Sequence, residues 1–546
     1  MEVRAFASRP TSWVLLAFAM VLLVFTKSEP LSWADASRLG TIQAVVEQHS
    51  FALDDTSYLW QGDKVYIGEH FYSHQPPMMA LLGAIPFGVL HAAGRAIDDP
   101  GTYRILTWCL VGLPMLLGLA ALARMMRRFG ATESEAALLL AAAAFGTLAL
   151  PYALVLNQHG LAAGLVMLAA EAALLRRAAL AGLLLAIATT CDLTAVFFAV
   201  AIIVPLVWQP TDDERRLDLG ALIPYALAAL PILAVHFGIN RALVGDFKPL
   251  GLHTEGFDYP MSPFVLMNLT GSGDTGPAGS ALAYARGALF GESGLFSLSP
   301  ILLFALFFAV PAWRRRRDAR PVILGTLIGA IGITLFYLSS SRNFGGSAFG
   351  MRWFCVFAPL LLLLPAIGLA HTRNRWLVAF LPLFFLSASA STLGAAQPWA
   401  KFHFRYEDSP EGLVAMPDEP VPARLDYLKS EWNRIRNLDE VFTEDRMDAL
   451  YQRLLDQHRK LYLRPLPGVS AEARRAWITV GMIKLQHAVD LLDRANSTAA
   501  SRPIGHFWLG KFHAALGNRQ PARREYEITL GLAPSYRWAK KALDDM

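Results

Sequence analysis

The sequence predicts an all-α polytopic membrane protein with a second, more polar helical domain at its C-terminus. The chain of 546 residues is 54% hydrophobic and only 17% charged, whereas soluble domains carry about 25% charged residues. Its mean hydropathy is +0.37. Long apolar runs alternate with short arginine clusters up to about residue 395, and beyond that point the composition becomes polar and helix-prone. These features exclude an ordinary soluble globular domain.

A membrane-spanning helix needs about 20 apolar residues. Suitable runs lie near 13–27, 103–123, 132–151, 160–175, 178–208, 219–238, 295–313, 321–339, 351–371 and 376–393. The run 178–208 is too long for one helix and is interrupted at Thr190-Cys191-Asp192, so we expect two spans there with a turn at Asp192. The sequence therefore predicts about 11 transmembrane helices.

The first apolar run follows Arg4 and Arg9, as the core of a signal peptide would. The following stretch, TKSEPLSWADA, has no clear pair of small residues at the right place for cleavage. We therefore expect an uncleaved first span.

Five basic clusters between the apolar runs set the expected topology, because cytoplasmic loops are enriched in Lys and Arg. They are Arg124/Arg127/Arg128, Arg176/Arg177, Arg215/Arg216, Arg314 to Arg317 and Arg373/Arg375. All five lie on the inside, together with the N-terminus, if the short apolar segment 76–94 rests on or dips into the outer surface. The C-terminus then lies outside. Positive-inside topology explains these clusters better than a nucleic-acid partner does.

The expected division is a transmembrane domain over 1–395 and an outer helical domain over 396–546. Within the first, the outer loops 28–102 and 239–294 are substantial. In the second, Leu509-Gly510, Gly517, Ala522, Tyr526 and Pro534 match the offsets of a tetratricopeptide (TPR) repeat near 503–536, with a degenerate repeat at 466–500. Since one repeat cannot bury its own apolar face, it is either a structural cap or a docking site for a protein partner.

The first outer loop contains the clearest chemical signal. Asp35-Ala36-Ser37-Arg38 follows the first span, and FYSHQPPMMALLGAIPFGVL follows about 35 residues later. Three later segments accompany them: PYALVLNQHGLAAGL, GESGLFSLSPILLFAL and NFGGSAFGMRWFCVFAPLLLLLP. In this order, over residues 10–395, the segments resemble the GT-C membrane glycosyltransferases, in the branch of the protein O-mannosyltransferases and bacterial aminoarabinose transferases.

The resemblance implies a GT-C-like bundle with juxtamembrane helices in the first outer loop. It also implies an inverting enzyme of a bacterial cytoplasmic membrane. Such an enzyme moves a sugar from a polyprenyl-phosphate carrier to a glycan, lipid or protein acceptor on the outer face, in contact with membrane lipid. Asp35 would be the general base that takes the acceptor's proton.

The chain departs from the family pattern at positions that usually hold charge. Ala36 replaces a glutamate, Gln75 replaces a lysine, Asn157-Gln158-His159 stands where a second acid is expected, and no basic residue accompanies Asp192. A divalent metal is therefore compatible with the family but not favoured, and no other cofactor is implied.

Arginines can hold the donor phosphate instead, because a guanidinium stays charged and binds phosphate in a bidentate manner. The candidate binding residues are Arg38, His74, Gln75, His159, Arg342 and Arg352, followed by Arg286 and Lys248. The loop glycines Gly345, Gly346 and Gly350 would permit close approach of the backbone to a ligand.

Each candidate also has a structural interpretation. Asp35 near a helix start resembles an N-cap residue, Arg352 at the end of a span resembles an interfacial arginine, and His159 could satisfy a loop carbonyl. Tyr66 and Glu69 are more typical of loop structure than of substrate contacts. For the whole chain, the alternative function is a non-catalytic GT-C-fold protein of the envelope that binds lipid or acts in transport or assembly.

Overall fold

The structure is a computed structural model that describes residues 9–58, 63–68, 70–210, 215–257, 281–341, 344–346, 348–369, 374–399 and 501–546, with scattered positions between 475 and 493. The chain divides into two compact units. The first comprises Met1–His253 and Pro277–Phe404, and the second comprises Thr254–Gly276 and Arg405–Met546.

The described part of the first unit is mainly helical. Its α-helices are α1 Pro10–Phe25, α2 Trp33–Glu47, α3 Met78–Ala92, α4 Pro100–Arg128, α5 Glu133–Phe145, α6 Ala149–Ala153, α7 Gln158–Leu174, α8 Ala178–Cys191, α9 Ala199–Val207, α10 Leu222–Val244, α11 Ala281–Phe290, α12 Leu295–Leu298, α13 Ile301–Phe307, α14 Ala309–Arg315, α15 Arg320–Ser340, α16 Leu363–Gly368 and α17 Leu377–Ala396. Helix α4 contains a π-helical turn at Trp108–Gly112, just before Pro114, whose missing N–H interrupts the regular ladder.

Short 3₁₀ segments and two hairpins complete this unit. The 3₁₀ segments are Leu193–Phe198, Leu219–Ala221, Leu250–Leu252, Arg352–Val356, Leu360–Leu362 and Asn374–Trp376. Strands β1 Lys64–Ile67 and β2 His70–Ser73 pair in antiparallel fashion, with Lys64 opposite Ser73. Strands β3 Trp208–Pro210 and β4 Arg215–Leu217 form the second hairpin.

Several of these helices are suited to a membrane, which confirms the predicted polytopic class. Among the described residues, four are long and apolar enough to span: Pro100–Arg128, Leu219–Val244, Arg320–Ser340 and Leu377–Ala396. A pair bent by 95°, Leu282–Leu298 with Ile301–Arg315, makes a fifth if it is one broken span. Five further apolar helices are shorter, at 10–17 residues.

Fewer helices meet this length than the 11 spans expected, because prolines, glycines and 3₁₀ turns break the apolar runs. The run 351–371, for example, folds into two 3₁₀ segments and the short α16, with Pro359 and Pro365 inside it. The run 178–208 is broken where the sequence predicted. Helix α8 ends at Cys191, and the Asp192 carboxylate caps the next segment by accepting from Thr194 N at 3.2 Å.

Contacts made by their arginines place three of the basic clusters at one end of the first unit: Arg124/Arg127/Arg128, Arg176/Arg177 and Arg314 to Arg317. The Arg124 guanidinium donates to Glu171 near the end of α7, next to Arg176. Arg316 donates to the Phe129 carbonyl at 2.6 Å, beside the end of α4, and Arg315 donates to the Gly368 carbonyl at the end of α16. At 1.5 Å per residue, the other end of α4 lies about 40 Å away.

Glycines allow α4 and α7 to pack in close contact. A Cβ atom on Gly164 would lie 2.3 Å from the Pro114 carbonyl oxygen, and one on Gly118 would lie 2.7 Å from the Gly164 carbonyl oxygen. Real Cβ atoms do not approach backbone atoms so closely. The short distance between the axes of α4 and α7 therefore depends on the missing side chains of these two glycines. This packing fixes the first half of α7 relative to the middle of α4.

The described part of the second unit contains the 3₁₀ segment Thr254–Phe257 and the helices α18 Ser501–Ala515, α19 Arg519–Leu532 and α20 Arg537–Asp544. Gly510 of α18 lies against the Tyr526 ring of α19, and Ala522 is fully buried between them. This helix pair coincides with the predicted 503–536 repeat. Its assignment as a TPR repeat and the docking of a partner stay predictions, and most of 466–500 lies outside the described residues.

A buried histidine joins the helices of this unit. His506 is 4% exposed; its Nδ1 lies 2.7 Å from Glu525 and its Nε2 lies 3.3 Å from Asp493. Burial lowers the pKa of His506, but the hydrogen bonds to the two carboxylates outweigh it, so the pKa is raised. His506 therefore connects α18 to α19 through Glu525 and to Asp493 before α18.

Candidate functional site

Helix α2 brings the two residues of the first motif to one face. Ser32 is its N-cap; its hydroxyl accepts from Asp35 N at 3.1 Å and donates to Asp35 Oδ1 at 2.9 Å. Arg38 follows one turn later, with Nη1 3.9 Å from Asp35 Oδ1. Both side chains are buried, at 0% and 3% exposure. The N-cap role that the structural interpretation gave to Asp35 therefore belongs to Ser32.

Two aromatic side chains from distant parts of the chain complete the surroundings of Asp35. Its Oδ2 accepts from the Tyr103 hydroxyl and from Trp399 Nε1, each at 3.0 Å. Burial raises the pKa of Asp35 to about 6, against the opposing effects of Arg38 and of its hydrogen-bond donors. The carboxylate is thus ionised at neutral pH, and its pKa is close to the working range of a general base.

Arg38 is held in place by neutral acceptors. Its Nη2 donates to Gln75 Oε1 at 2.9 Å and to Gln158 Oε1, and its Nη1 donates to the Leu156 carbonyl at 3.3 Å. Burial lowers the pKa of Arg38 to about 10, so the guanidinium remains charged. Its orientation is fixed before any ligand arrives.

The second half of the first outer loop supplies His74, Gln75 and Asp63. Gln75 Nε2 lies 2.6 Å from His74 Nε2 and 3.5 Å from Asp63 Oδ2. Asp63 is anchored to α2, because Ser37 donates to its carbonyl at 2.7 Å. Burial lowers the pKa of His74, which favours the neutral imidazole. Gln75 therefore connects Arg38 to a second polar group instead of contributing a charge.

His159 lies in the first turn of α7, which Asn157 caps by accepting from Gly160 N at 2.7 Å. Its Nδ1 is 2.6 Å from Asp192 Oδ2, and both side chains are buried, at 3% and 5% exposure. Its Nε2 is buried and has no hydrogen-bond partner among the described residues. The loop-carbonyl interpretation of His159 is wrong, since its partner is a carboxylate.

Arg352 opens the 3₁₀ segment that follows the glycine-rich loop. Its guanidinium carbon lies 5.2 Å from the centre of the Trp399 ring, and its buried Nε has no acceptor among the described residues. Among the described residues, no carboxylate lies within 4 Å of the Arg352 guanidinium. The positive charge of Arg352 lowers the pKa of Arg38. Gly345, at φ 92°, and Gly350, at φ 66°, allow the loop to turn over this side chain.

The structure thus brings six of the predicted residues into one neighbourhood, at the end of α4 opposite the basic clusters: Asp35, Arg38, His74, Gln75, His159 and Arg352. Arg342 lies outside the described residues, as does Glu69. Arg286 and Lys248 are exposed. Tyr66 packs its ring 4.9 Å from that of Phe71 within the first hairpin, as the structural interpretation expected.

Sequence reasoning missed five residues of this neighbourhood: Tyr103, Trp399, Gln158, Asp63 and Asp192. Gln158 and Asp192 were noted only as departures from a pattern or as a turn. Trp399 follows the last apolar run in a polar stretch, where no local signal points to Asp35. Tyr103 begins a predicted span and Trp399 follows one, so both are aromatic donors near the end of a span.

A small pocket lies beside this neighbourhood, and Arg38 and Gln75 lie in its wall. Phe51, Tyr72 and Leu250 contribute apolar surface on its other sides. The pocket therefore places the Arg38 guanidinium beside apolar side chains.

These residues do not fit a divalent metal. A hard cation such as Mg²⁺ needs several oxygen ligands, carboxylates above all. Asp35 already accepts from Ser32, Tyr103 and Trp399, and Ala36 beside it carries no ligand atom. Among the described residues, no group of three or more His, Cys, Asp or Glu is arranged to hold a metal ion.

No family model matches the chain, and no curated protein matches it. Among solved structures, the chain is similar to one described as the crystal structure of ArnT from Cupriavidus metallidurans in the apo state. The TM-score is 0.41 at 13% sequence identity, over 94% of this chain and 77% of that one. At so low a score and identity, the likeness assigns no activity to this chain.

Proposed function

We propose that the chain is a membrane glycosyltransferase of the GT-C type that takes its sugar from a polyprenyl-phosphate carrier. The observation that carries the proposal is that buried Asp35 and Arg38 and half-buried Arg352 lie together at the end of the unit opposite the basic clusters. The Asp35 carboxylate has a pKa near 6 and lies 3.9 Å from the Arg38 guanidinium. It also bonds Trp399, whose ring the Arg352 guanidinium contacts, so a base and an anion site can lie in one place.

In the proposed reaction, the acceptor hydroxyl gives its proton to Asp35 while its oxygen attacks the anomeric carbon of the sugar. The bond from that carbon to the phosphate oxygen breaks, and its electron pair stays on the polyprenyl phosphate. Attack from the side opposite the leaving group inverts the anomeric configuration. Asp35 must exchange one of its present donors, Tyr103 or Trp399, for the acceptor hydroxyl.

The leaving phosphate gains negative charge during this step, and fixed cations stabilise such charge more strongly than mobile water does. Arg38 is fixed by Gln75 and Gln158, and the Arg352 guanidinium has no described carboxylate within 4 Å to neutralise it. The apolar walls of the pocket at Arg38 suit an isoprenoid chain attached to the phosphate. The acceptor is a glycan, lipid or protein on the outer face of a bacterial cytoplasmic membrane.

One observation favours the second candidate, a non-catalytic lipid-binding, transport or assembly protein of the same fold. Both oxygens of Asp35 already accept hydrogen bonds, and Ala36 and Gln75 replace the family's charged residues. In that case Asp35 holds α2, α4 and the segment after α17 together, and lipid binds without turnover.

The test uses purified full-length protein in lipid nanodiscs, assayed for sugar transfer from polyprenyl-phosphate sugars and for binding of polyprenyl phosphate. Asp35→Asn should abolish transfer and retain binding. The matched control is Asp54→Asn in the same loop, whose carboxylate pairs with the exposed His70 and should be dispensable. Wild-type transfer by Asp35→Asn would rule out Asp35 as the base. Lipid binding without any transfer by the wild type would favour the second candidate.

A further inference from the structure

His159 and Asp192 form a buried pair in which His159 Nε2 has no hydrogen-bond partner among the described residues. Asp192 Oδ1 accepts from the Thr194 hydroxyl at 2.8 Å, so Oδ2 is the oxygen that faces His159 Nδ1 at 2.6 Å. A carboxylate accepts, so Nδ1 carries the proton and the neutral ring presents a bare lone pair at Nε2. A buried acceptor without a partner costs free energy, and Nε2 is therefore placed to meet a ligand.

The charges that face His159 come from three other parts of the fold: Asp192, Arg352 and Arg38. The titratable groups beside Asp192 are Cys191, Tyr337 and Cys355. Protonation of His159 would add a third positive charge beside Arg38 and Arg352. Burial and both guanidinium groups oppose this charge, and Asp192 favours it. An anion bound between the arginines would cancel that repulsion.

We propose that His159 takes up a proton at Nε2 when the phosphodiester anion of the donor binds, and that the resulting imidazolium donates to a phosphate oxygen. This inference rests on the proposed function, because it needs the phosphate at Arg38 and Arg352. The proton comes from solvent and forms the Nε2–H bond, no bond between heavy atoms forms or breaks, and the added positive charge matches the added negative charge. His159 contacts the ligand, and Asp192 is a positioning residue that fixes the ring and stabilises its charged form.

Proton uptake by His159 makes the affinity for the donor depend on pH. If each bound anion brings one proton with it, affinity falls about ten-fold for each pH unit above the range where the bound imidazole is charged. His74 is the rival proton acceptor, because it is buried, lies beside Gln75 and is exposed to the same two arginines. The experiment therefore has to distinguish the two histidines.

The probe is polyprenyl methyl phosphate, a phosphodiester that does not itself titrate near neutral pH. Isothermal titration calorimetry of the full chain near pH 7, in two buffers of different ionisation enthalpy, gives the number of protons taken up per ligand. Wild type should take up close to one. His159→Gln should bind about ten-fold or more weakly and take up none, and Asp192→Asn should take up less than wild type. His74→Gln, and the exposed-site control His70→Gln, should match wild type in proton uptake.

The outcomes separate the two levels of the proposal. If wild type binds the probe no better than polyprenol, the phosphate site is absent, and the proposed function and this inference both fail. If wild type binds the probe without proton uptake, this inference alone is wrong. It is equally wrong if His159→Gln takes up as many protons as wild type, or if His74→Gln is the variant that loses the uptake.

Discussion

At the scale of single residues, burial has opposite consequences for the two charges of α2. It raises the pKa of Asp35 to about 6 and lowers that of Arg38 to about 10. Both remain ionised at neutral pH, but only Asp35 comes within reach of physiological titration. Asp35 can therefore accept a proton, while Arg38 keeps a permanent charge for an anion.

The pKa of Asp35 predicts the pH dependence of transfer. The ionised form is the active base, so the turnover number should be constant well above pH 6 and fall about ten-fold per unit below it. The Tyr103 hydrogen bond lowers this pKa, so Tyr103→Phe should move the midpoint to higher pH. Turnover at saturating donor, measured between about pH 4.5 and about pH 8, tests this. A midpoint unmoved in Tyr103→Phe would argue against Asp35 as the titrating base.

Arg38, which is buried, and Arg352, which is half-buried, predict the strength of donor binding. A charge-assisted hydrogen bond contributes roughly 1.5–3 kcal/mol, so Arg38→Ala and Arg352→Ala should each weaken donor use by about 10- to 150-fold. The control is Arg95→Ala, a guanidinium 62% exposed and 3.9 Å from Asp99, which should have no effect. The measurement is kcat/KM for the polyprenyl-phosphate sugar. If both variants match wild type, the phosphate lies elsewhere, and Arg342 and Arg286 are the next to replace.

The same assay with EDTA tests the metal-free site. We expect unchanged turnover, because the oxygens of Asp35 are occupied by hydrogen-bond donors and Arg38 stands 3.9 Å away. Loss of activity in EDTA that manganese or magnesium restores would contradict this expectation.

At the scale of elements, the close packing of α4 and α7 should be sensitive to one methyl group. In Gly164→Ala the new Cβ would meet the Pro114 carbonyl at 2.3 Å, and backbone cannot move aside as a side chain can. Overpacking of this kind costs roughly 1–3 kcal/mol. Gly238→Ala is the control, since a Cβ there has nothing within 4 Å. Thermal unfolding in detergent micelles should show a lower midpoint for Gly164→Ala, and equal midpoints for both variants would contradict the packing.

At the scale of the whole molecule, the basic clusters predict the orientation in the membrane. Three of them lie at one end of the first unit, and we expect that end in the cytoplasm with the N-terminus. Of two reporters fused after Met546, the one that works only in the periplasm should then be active, and the one that works only in the cytoplasm should be inactive. Activity of a cytoplasmic reporter at the same position would mean that one span is miscounted, with the segment around α3 the first to re-examine.

The sequence alone determined the properties that depend on local pattern. Apolar run length and charge spacing predicted the membrane class, the break at Asp192 and a helix over the 76–94 segment. The resemblance of several short segments to a known family brought Asp35, Arg38, Gln75, His159 and Arg352 forward as candidates. The first group of inferences uses residues that are neighbours in the chain, where periodicity and composition carry the information.

Only the tertiary structure decided what these residues touch. Tyr103 and Trp399 reach the Asp35 carboxylate from α4 and from beyond α17, and Asp192 reaches His159 from the end of α8. No local pattern encodes such pairs, because they arise when helices separated by long stretches of chain pack together. The raised pKa of Asp35 follows from the same packing, since desolvation depends on every element around the carboxylate.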